Sequence, residues 1–140
     1  MALVLVVDSD LNSAAWTQTV LRQVGHQAFL VADAREALDA MAACRFDLVL
    51  MELDLTGTVD GWGAIEAIAA NPVMADVPVL ALTDDCAPGI EFRLRESSFT
   101  GWMFRPFGTA ALINRLRDHL RRPHPRRTGR IPAMTAGVND

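Results

Sequence analysis

Four polar clusters in this 140-residue chain each follow a short apolar run, and their side chains are of types that do chemistry. Asp8-Ser9-Asp10 follows ALVLVV, Glu52 follows LVLM, Thr83 follows VPVLAL, and Arg105-Pro106-Phe107 follows Trp102-Met103-Phe104. A buried strand that ends in a carboxylate and opens into a loop presents that acid at the C-terminal edge of a sheet. Open α/β folds place their ligands and reactions at that edge. Glu52 is therefore the candidate reactive acid. Asp8, Ser9, Asp10 and Asp54 are expected to form an acidic pocket around it, with Thr83 adding a hydroxyl and Arg105 a cation. Any one cluster is weak evidence, since polar residues often end strands. All of them in this order, with Asp60-Gly61 opening the helix after Glu52, are much harder to obtain by chance.

The elements that must position these groups follow from periodicity. Ala2–Val7 reads as a first buried strand. Leu11–Val24 reads as a helix with Leu11, Ala14, Leu21 and Val24 on one face, Asn12 or Ser13 as its cap, and Gly25 at its end. Gln27–Val31 is the second strand. Asp33, with Glu36 three residues on, forms a capping box for a helix running to Ala43. Asp47–Glu52 is the third strand, and Gly61–Ala70 the third helix, ended by Asn71-Pro72. Val77–Leu82 is the fourth strand, and Gly89–Ser97, with Pro88 in its first turn, the fourth helix. Trp102–Phe104 is the fifth strand, and Thr109 caps a fifth helix to Arg121. Five strands alternating with five helices give an α/β class with a parallel, doubly wound sheet covered on both faces.

Residues 2–121 resemble the receiver domain of two-component response regulators. That family carries an acidic pair after the first strand, a phosphoaccepting Asp after the third, Thr or Ser after the fourth, and Lys-Pro-Phe after the fifth. Its loop after the third strand typically reads D-L-x-L-P-G-x-D-G. Asp8 matches the first acid of the pair and Ser9 the second. Glu52 takes the phosphoacceptor position, followed by Leu53, Leu55, Gly57 and Asp60-Gly61. Thr83 matches the switch hydroxyl, Trp102 the switch aromatic, and Arg105-Pro106-Phe107 the Lys-Pro-Phe. The resemblance implies a (βα)5, flavodoxin-like receiver fold with strand order 2-1-3-4-5. It also implies two-component or phosphorelay signalling, with a histidine kinase or a downstream effector as partner. The face built by the fourth helix, fifth strand and fifth helix is the family's usual output and homodimer surface; here it includes Phe92, Arg95, Trp102 and Arg115.

The departures bear on the chemistry. In the family, Mg²⁺ is held by an acid of the pair, the phosphoaccepting Asp and a backbone carbonyl two residues beyond it. Mg²⁺ wants hard anionic oxygens in tight octahedral geometry. Ser9 removes one charge, Glu52 carries its carboxylate one C–C bond further out, and Asp10 points the other way on an extended segment. The expectation is a remnant metal site at Asp8, Ser9 and Glu52, no cofactor, and Mg²⁺ only if the site is still competent. Phosphoryl transfer depends on in-line placement and charge neutralisation, so a nucleophile displaced by about 1.5 Å loses orders of magnitude in rate. Arg105 replaces a point charge by a planar fork shaped for a bidentate carboxylate pair, within reach of Glu52. The expected molecule is an atypical, stand-alone pseudo-receiver that is not an enzyme and signals by protein–protein contact. The alternatives are a phosphorylatable receiver using Glu52 or Asp54, and a flavodoxin-like cofactor binder, which the acidic loop after the first strand disfavours.

The bulk properties agree. The length suits one domain, residues 1–122, and 51% hydrophobic with 21% charged residues is a globular composition. No apolar run is long enough to cross a bilayer and no signal peptide is evident, so the expected compartment is the cytoplasm. Cys44 and Cys86 lack metal spacing and read as buried free thiols. Residues 1–120 hold 8 Arg against 16 acids, whereas residues 121–140 hold 5 Arg against Asp140 alone. The region 123–140 reads as a basic, Pro- and Arg-containing tail. Without interleaved aromatic residues it reads as solubilising rather than as a nucleic-acid contact.

Overall fold

A computed structural model describes residues 1–121; the basic tail expected at 123–140 lies outside the described residues. The order is β1 (Leu3–Val7), α1 (Leu11–Gln23), β2 (Gln27–Val31), α2 (Ala34–Ala43), β3 (Leu48–Glu52), α3 (Gly61–Ala70), β4 (Val79–Thr83), α4 (Ile90–Arg95), β5 (Gly101–Phe104) and α5 (Thr109–Arg121). The strands form one parallel sheet in the order β2-β1-β3-β4-β5, the receiver topology anticipated above.

Strand parity sorts the core into two layers, because successive side chains point to opposite faces of a sheet. Leu5, Val7, Val49, Met51, Val79 and Ala81 pack with α2, α3 and Leu94 of α4. Val4, Val6, Leu48, Leu50, Leu80, Leu82 and Met103 pack against Val20 and Leu21 of α1 and Leu112 and Leu116 of α5. All residues of β3 and β4 are buried, as a strand covered on both faces requires. Fully burying an aliphatic side chain of this size is worth about 1.5–3 kcal/mol, so these layers hold the strand ends in register.

Several ends differ from the sequence reading. Asp10, not Asn12 or Ser13, caps α1, its Oδ1 accepting from the Asn12 N–H at 2.9 Å and the Ser13 N–H at 3.3 Å. The capping box of α2 is offset: Asp33 Oδ1 accepts from the Glu36 N–H, while Glu36 Oε1 reaches back to the Ala32 N–H. Helix α4 is shorter than expected, starting after Gly89, whose φ of 86° suits glycine. It is tied to α3 by Arg93, stacked 3.8 Å from the centre of the Trp62 ring. Thr109 lies inside α5, where the Leu112 N–H bonds to the Gly108 carbonyl, rather than capping it. Both cysteines are free, but neither is buried: Cys86 is exposed in the loop before α4 and Cys44 is half-buried. Among the described residues no helix is long and apolar enough to cross a membrane.

One glycine fixes how closely α3 approaches the end of β3. Its N–H donates to the Leu53 carbonyl at 2.9 Å, and a Cβ on Gly61 would fall 2.6 Å from the Glu52 carbonyl oxygen and 2.7 Å from Leu53 Cα. Both neighbours are backbone, so they cannot rotate away. Gly61→Ala is expected to destabilise the fold by about 1–3 kcal/mol, read as a lower urea midpoint with an unchanged slope.

Candidate functional site

Parity also decides which strand-end groups meet. Continuing each strand by two residues, Asp8 follows Val6, Glu52 follows Leu50 and Arg105 follows Met103, all on the face covered by α1 and α5. Thr83 follows Ala81 on the other face, together with Trp102 and Phe104.

On the first face a charge cluster forms. Arg105 Nη1 lies 2.5 Å from Glu52 Oε1 and 3.6 Å from Asp84 Oδ1, and Nη2 lies 3.6 Å from Asp8 Oδ2 and donates to Ser13 Oγ at 3.3 Å. The fork is therefore shared among several groups and is not the bidentate pair with Glu52 that its shape suggested. Asp8 is 4% exposed and Glu52 8%, so both carboxylates are largely desolvated. Glu52 Oε2 takes the Asp54 N–H at 3.4 Å. Burial pushes the Glu52 carboxyl above the usual carboxylate range, and Asp8 adds to the rise, while Arg105 and the Asp54 N–H oppose it.

The neighbouring groups are committed elsewhere. Ser9 Oγ donates to the Ala32 carbonyl at 2.8 Å and accepts from the Thr56 N–H and hydroxyl at 3.0 and 3.1 Å, tying the loops after β1, β2 and β3 together. Asp10 is the α1 cap and donates its own N–H to Asp8 Oδ1 at 2.9 Å. Thr83 is fully buried, with its hydroxyl accepting from the Asp85 N–H at 2.9 Å rather than facing Glu52. Trp102 is half-buried against the α2–α3 layer, and its carbonyl accepts from Arg115. Asp54 is exposed at the rim, and Pro106 follows Arg105 through a cis peptide bond. Asp8, Ser9, Asp10, Ser13, Glu52, Asp54, Thr56, Asp84 and Arg105 line one open cleft of about 460 Å³. Sequence reasoning missed Ser13 and Asp84. Asp84 was signalled by its place next to Thr83 at a strand end; Ser13, one turn into a helix, carried no such signal.

A response regulator receiver domain model matches residues 4–117. The chain belongs to that family. It is a receiver domain of two-component signalling. It is 33% identical over 121 residues to the DNA-binding response regulator MtrA of Mycolicibacterium paratuberculosis, covering 85% of this chain and 51% of that protein. It is 28% identical to the transcriptional regulatory protein PcoR of Escherichia coli, covering 87% of this chain and 53% of PcoR. The chain thus spans about half the length of the curated relatives it matches. Among solved structures, the receiver domain of the sensor histidine kinase PA1611 from Pseudomonas aeruginosa superposes with a TM-score of 0.79 at 26% identity. That match covers 86% of this chain and 98% of that one. The chemotaxis protein CheY4 of Vibrio cholerae gives 0.78 at 27% identity, covering 86% and 99%.

The PA1611 receiver structure holds a magnesium ion coordinated in its active-site cleft. The donors of the present receiver do not fit that ion. Magnesium needs near-octahedral oxygens at about 2.0–2.1 Å. Here Glu52 Oε1 is spent on Arg105, Ser9 is neutral and fully hydrogen-bonded, and Asp10 is an exposed cap. Among the described residues no group of three or more His, Cys, Asp or Glu is arranged to hold a metal.

The raised Glu52 pKa fixes a sign. In the unfolded chain Glu52 ionises at lower pH than in the fold, so its contribution to stability is present below the unfolded pKa and is lost as pH rises through the folded one. Glu52→Gln abolishes that loss. The stability of the variant relative to the wild type is expected to increase as pH is raised from acid to neutral, measured by urea melts at each pH; a flat or falling difference contradicts it.

Proposed function

We propose that this receiver domain relays signals in the cytoplasm by protein–protein contact, without accepting phosphate and without catalytic turnover. The observation that carries this reading is the direct contact of Arg105 Nη1 with Glu52 Oε1. The acid at the phosphoacceptor position is engaged by the cation at the end of β5. Glu52 also presents its carboxylate about one C–C bond beyond where aspartate would place it, and misplacement of this order costs about 10²-fold or more in phosphoryl transfer. Five carboxylates and one guanidinium line the cleft, so an approaching phosphodonor meets net negative charge.

The Glu52–Arg105 link supplies only part of a phosphorylated arrangement. The Thr83 hydroxyl is held by its own loop on the opposite face of the sheet, and Trp102 lies on that face with it. The reading is therefore of one fixed state, in which the cleft serves as an ionic clasp. Partners meet the surface of α4, β5 and α5, where Phe92 is 64% exposed and Arg95 is exposed beside it. A signalling protein or a second copy of the chain would occupy it.

The test is incubation with acetyl phosphate and MgCl₂, followed by intact mass. No phosphoryl adduct is expected on the wild type under conditions that label an aspartate-bearing receiver to completion. An acid-stable, base-labile adduct overturns the reading, and its loss in Glu52→Ala or Asp54→Ala would assign it to one of those residues.

A further inference from the structure

The two edges of the sheet are finished differently. At β5 the Trp102 carbonyl accepts from Arg115 of α5, so that edge is partly capped. At β2 the Gln27 N–H donates to the Ala2 carbonyl and the Val31 carbonyl accepts the Asp8 N–H. Backbone direction alternates along a strand, so Gln27, Phe29 and Val31 face β1, while Ala28 and Leu30 turn their N–H and C=O groups outward. Among the described residues no strand stands opposite them. The outward run stops beyond each end, where the His26 N–H goes to the Leu21 carbonyl and the Ala32 N–H to Glu36 Oε1. Charged side chains, prolines and bulges are what keep an open edge from pairing. Gln27–Val31 carries no charged residue and no proline, and it leaves Phe29 51% and Leu30 37% exposed.

We propose that β2 pairs antiparallel with β2 of a second copy of this chain, about a twofold axis at Phe29, joining two receivers into one continuous sheet. An antiparallel pair forms where residues that offer N–H and C=O groups stand opposite one another. Centred on Phe29, Ala28 meets Leu30 of the second copy and Leu30 meets its Ala28, so every outward donor and acceptor is matched. A shift of one residue sets outward groups against inward ones and loses these bonds. Phe29 then lies beside its own counterpart, with Phe46 already behind it at 6.1 Å between ring centres. On the opposite face Leu30 lies beside the small Ala28. Charge favours the same sense. Exposed Arg22, in the last turn of α1 before β2, approaches the far end of the second copy's strand, where Asp33, Glu36 and Asp39 outnumber Arg35. A strand from another protein would lack this self-matching of register, apolar contact and charge. Because β2 and β5 lie at opposite edges, the pairing leaves both α4–β5–α5 surfaces outward, and one assembly offers two docking faces. The inference goes beyond the proposed function and does not depend on the state of the cleft.

Sedimentation velocity of the full chain, from micromolar to submillimolar concentration, is expected to show a monomer–dimer equilibrium. Ala28→Pro, which removes one outward N–H, and Phe29→Lys are each expected to raise the dimer Kd by at least about tenfold, and Phe92→Lys on α4 to leave it unchanged. Register is read by oxidative cross-linking in a Cys44→Ser/Cys86→Ser background. Phe29→Cys, facing its own counterpart, is expected to give a disulfide-linked dimer, whereas Leu30→Cys, facing Ala28, is not. This arm keeps the inference open to refutation even where Ala28→Pro or Phe29→Lys fails to fold. A chain that stays monomeric throughout overturns the inference, whether or not β2 takes up a strand from some other protein. So does a dimer insensitive to the β2 substitutions or lost in Phe92→Lys, and so does equal cross-linking at positions 29 and 30. An acetyl phosphate adduct on the wild type would instead remove the proposed function and leave this comparison unaffected.

Discussion

Two carboxylates taken out of water at the ends of adjacent strands are tolerable only with a positive charge between them. Arg105 provides it, and the rest of the site is arranged around its reach. The guanidinium comes from β5 at the sheet edge, passes the end of β4, and meets β3 at Glu52 and β1 at Asp8. Glutamate, with its longer arm, closes part of that span. The interaction therefore couples the first, third and fifth strands at one edge, where they make no backbone hydrogen bonds to one another beyond the β1–β3 ladder.

The two faces of the sheet separate two systems that a reading along the chain places side by side. Asp8, Glu52 and Arg105 share the α1–α5 face, while Thr83, Trp102 and Phe104 share the other. The period of two along each strand makes this partition rigid, since moving Thr83 to the charged face would require a register slip that carries Leu80 and Leu82 out of their own core layer into the opposite one. Among the described residues the clasp meets Thr83 only through the backbone, the Arg105 N–H donating to the Thr83 carbonyl at 2.8 Å, while the Thr83 hydroxyl takes the Asp85 N–H.

Much of this was legible in the sequence, because parallel strands are written as apolar runs and their ends as polar punctuation. The helix Gly61–Ala70 and the strand Gln27–Val31 have the bounds read from the sequence, since Asp60, Asn71-Pro72 and Gly25 mark their limits. The approach of Arg105 to Glu52 was also readable, from family positions and side-chain length. What escaped is what depends on direction in space. Asp10 was grouped with the pocket acids as part of the polar cluster after the first strand, yet its side chain turned to the free N–H groups of α1. The guanidinium's division among Glu52, Asp8, Asp84 and Ser13 depends on its angle of entry, which no spacing encodes. Nor does sequence show that Arg45 and Asp76, 31 residues apart in the loops that lead into β3 and β4, form a largely buried bidentate pair.

Ser9 shows why the altered cleft is hard to reverse. A hydroxyl has one proton to give and two lone pairs to receive with, and here all are used: given to Ala32, received from the backbone and side chain of Thr56. An acid at position 9 has no proton to give at neutral pH and adds a negative charge beside Asp8. A single substitution toward a second acid would untie the Ala32 link and increase the load on one guanidinium. Ser9, Thr56, Glu52 and Arg105 thus form an interlocked set, and a path back to an acid-rich cleft runs uphill at its first step, a ratchet built from hydrogen-bond valence.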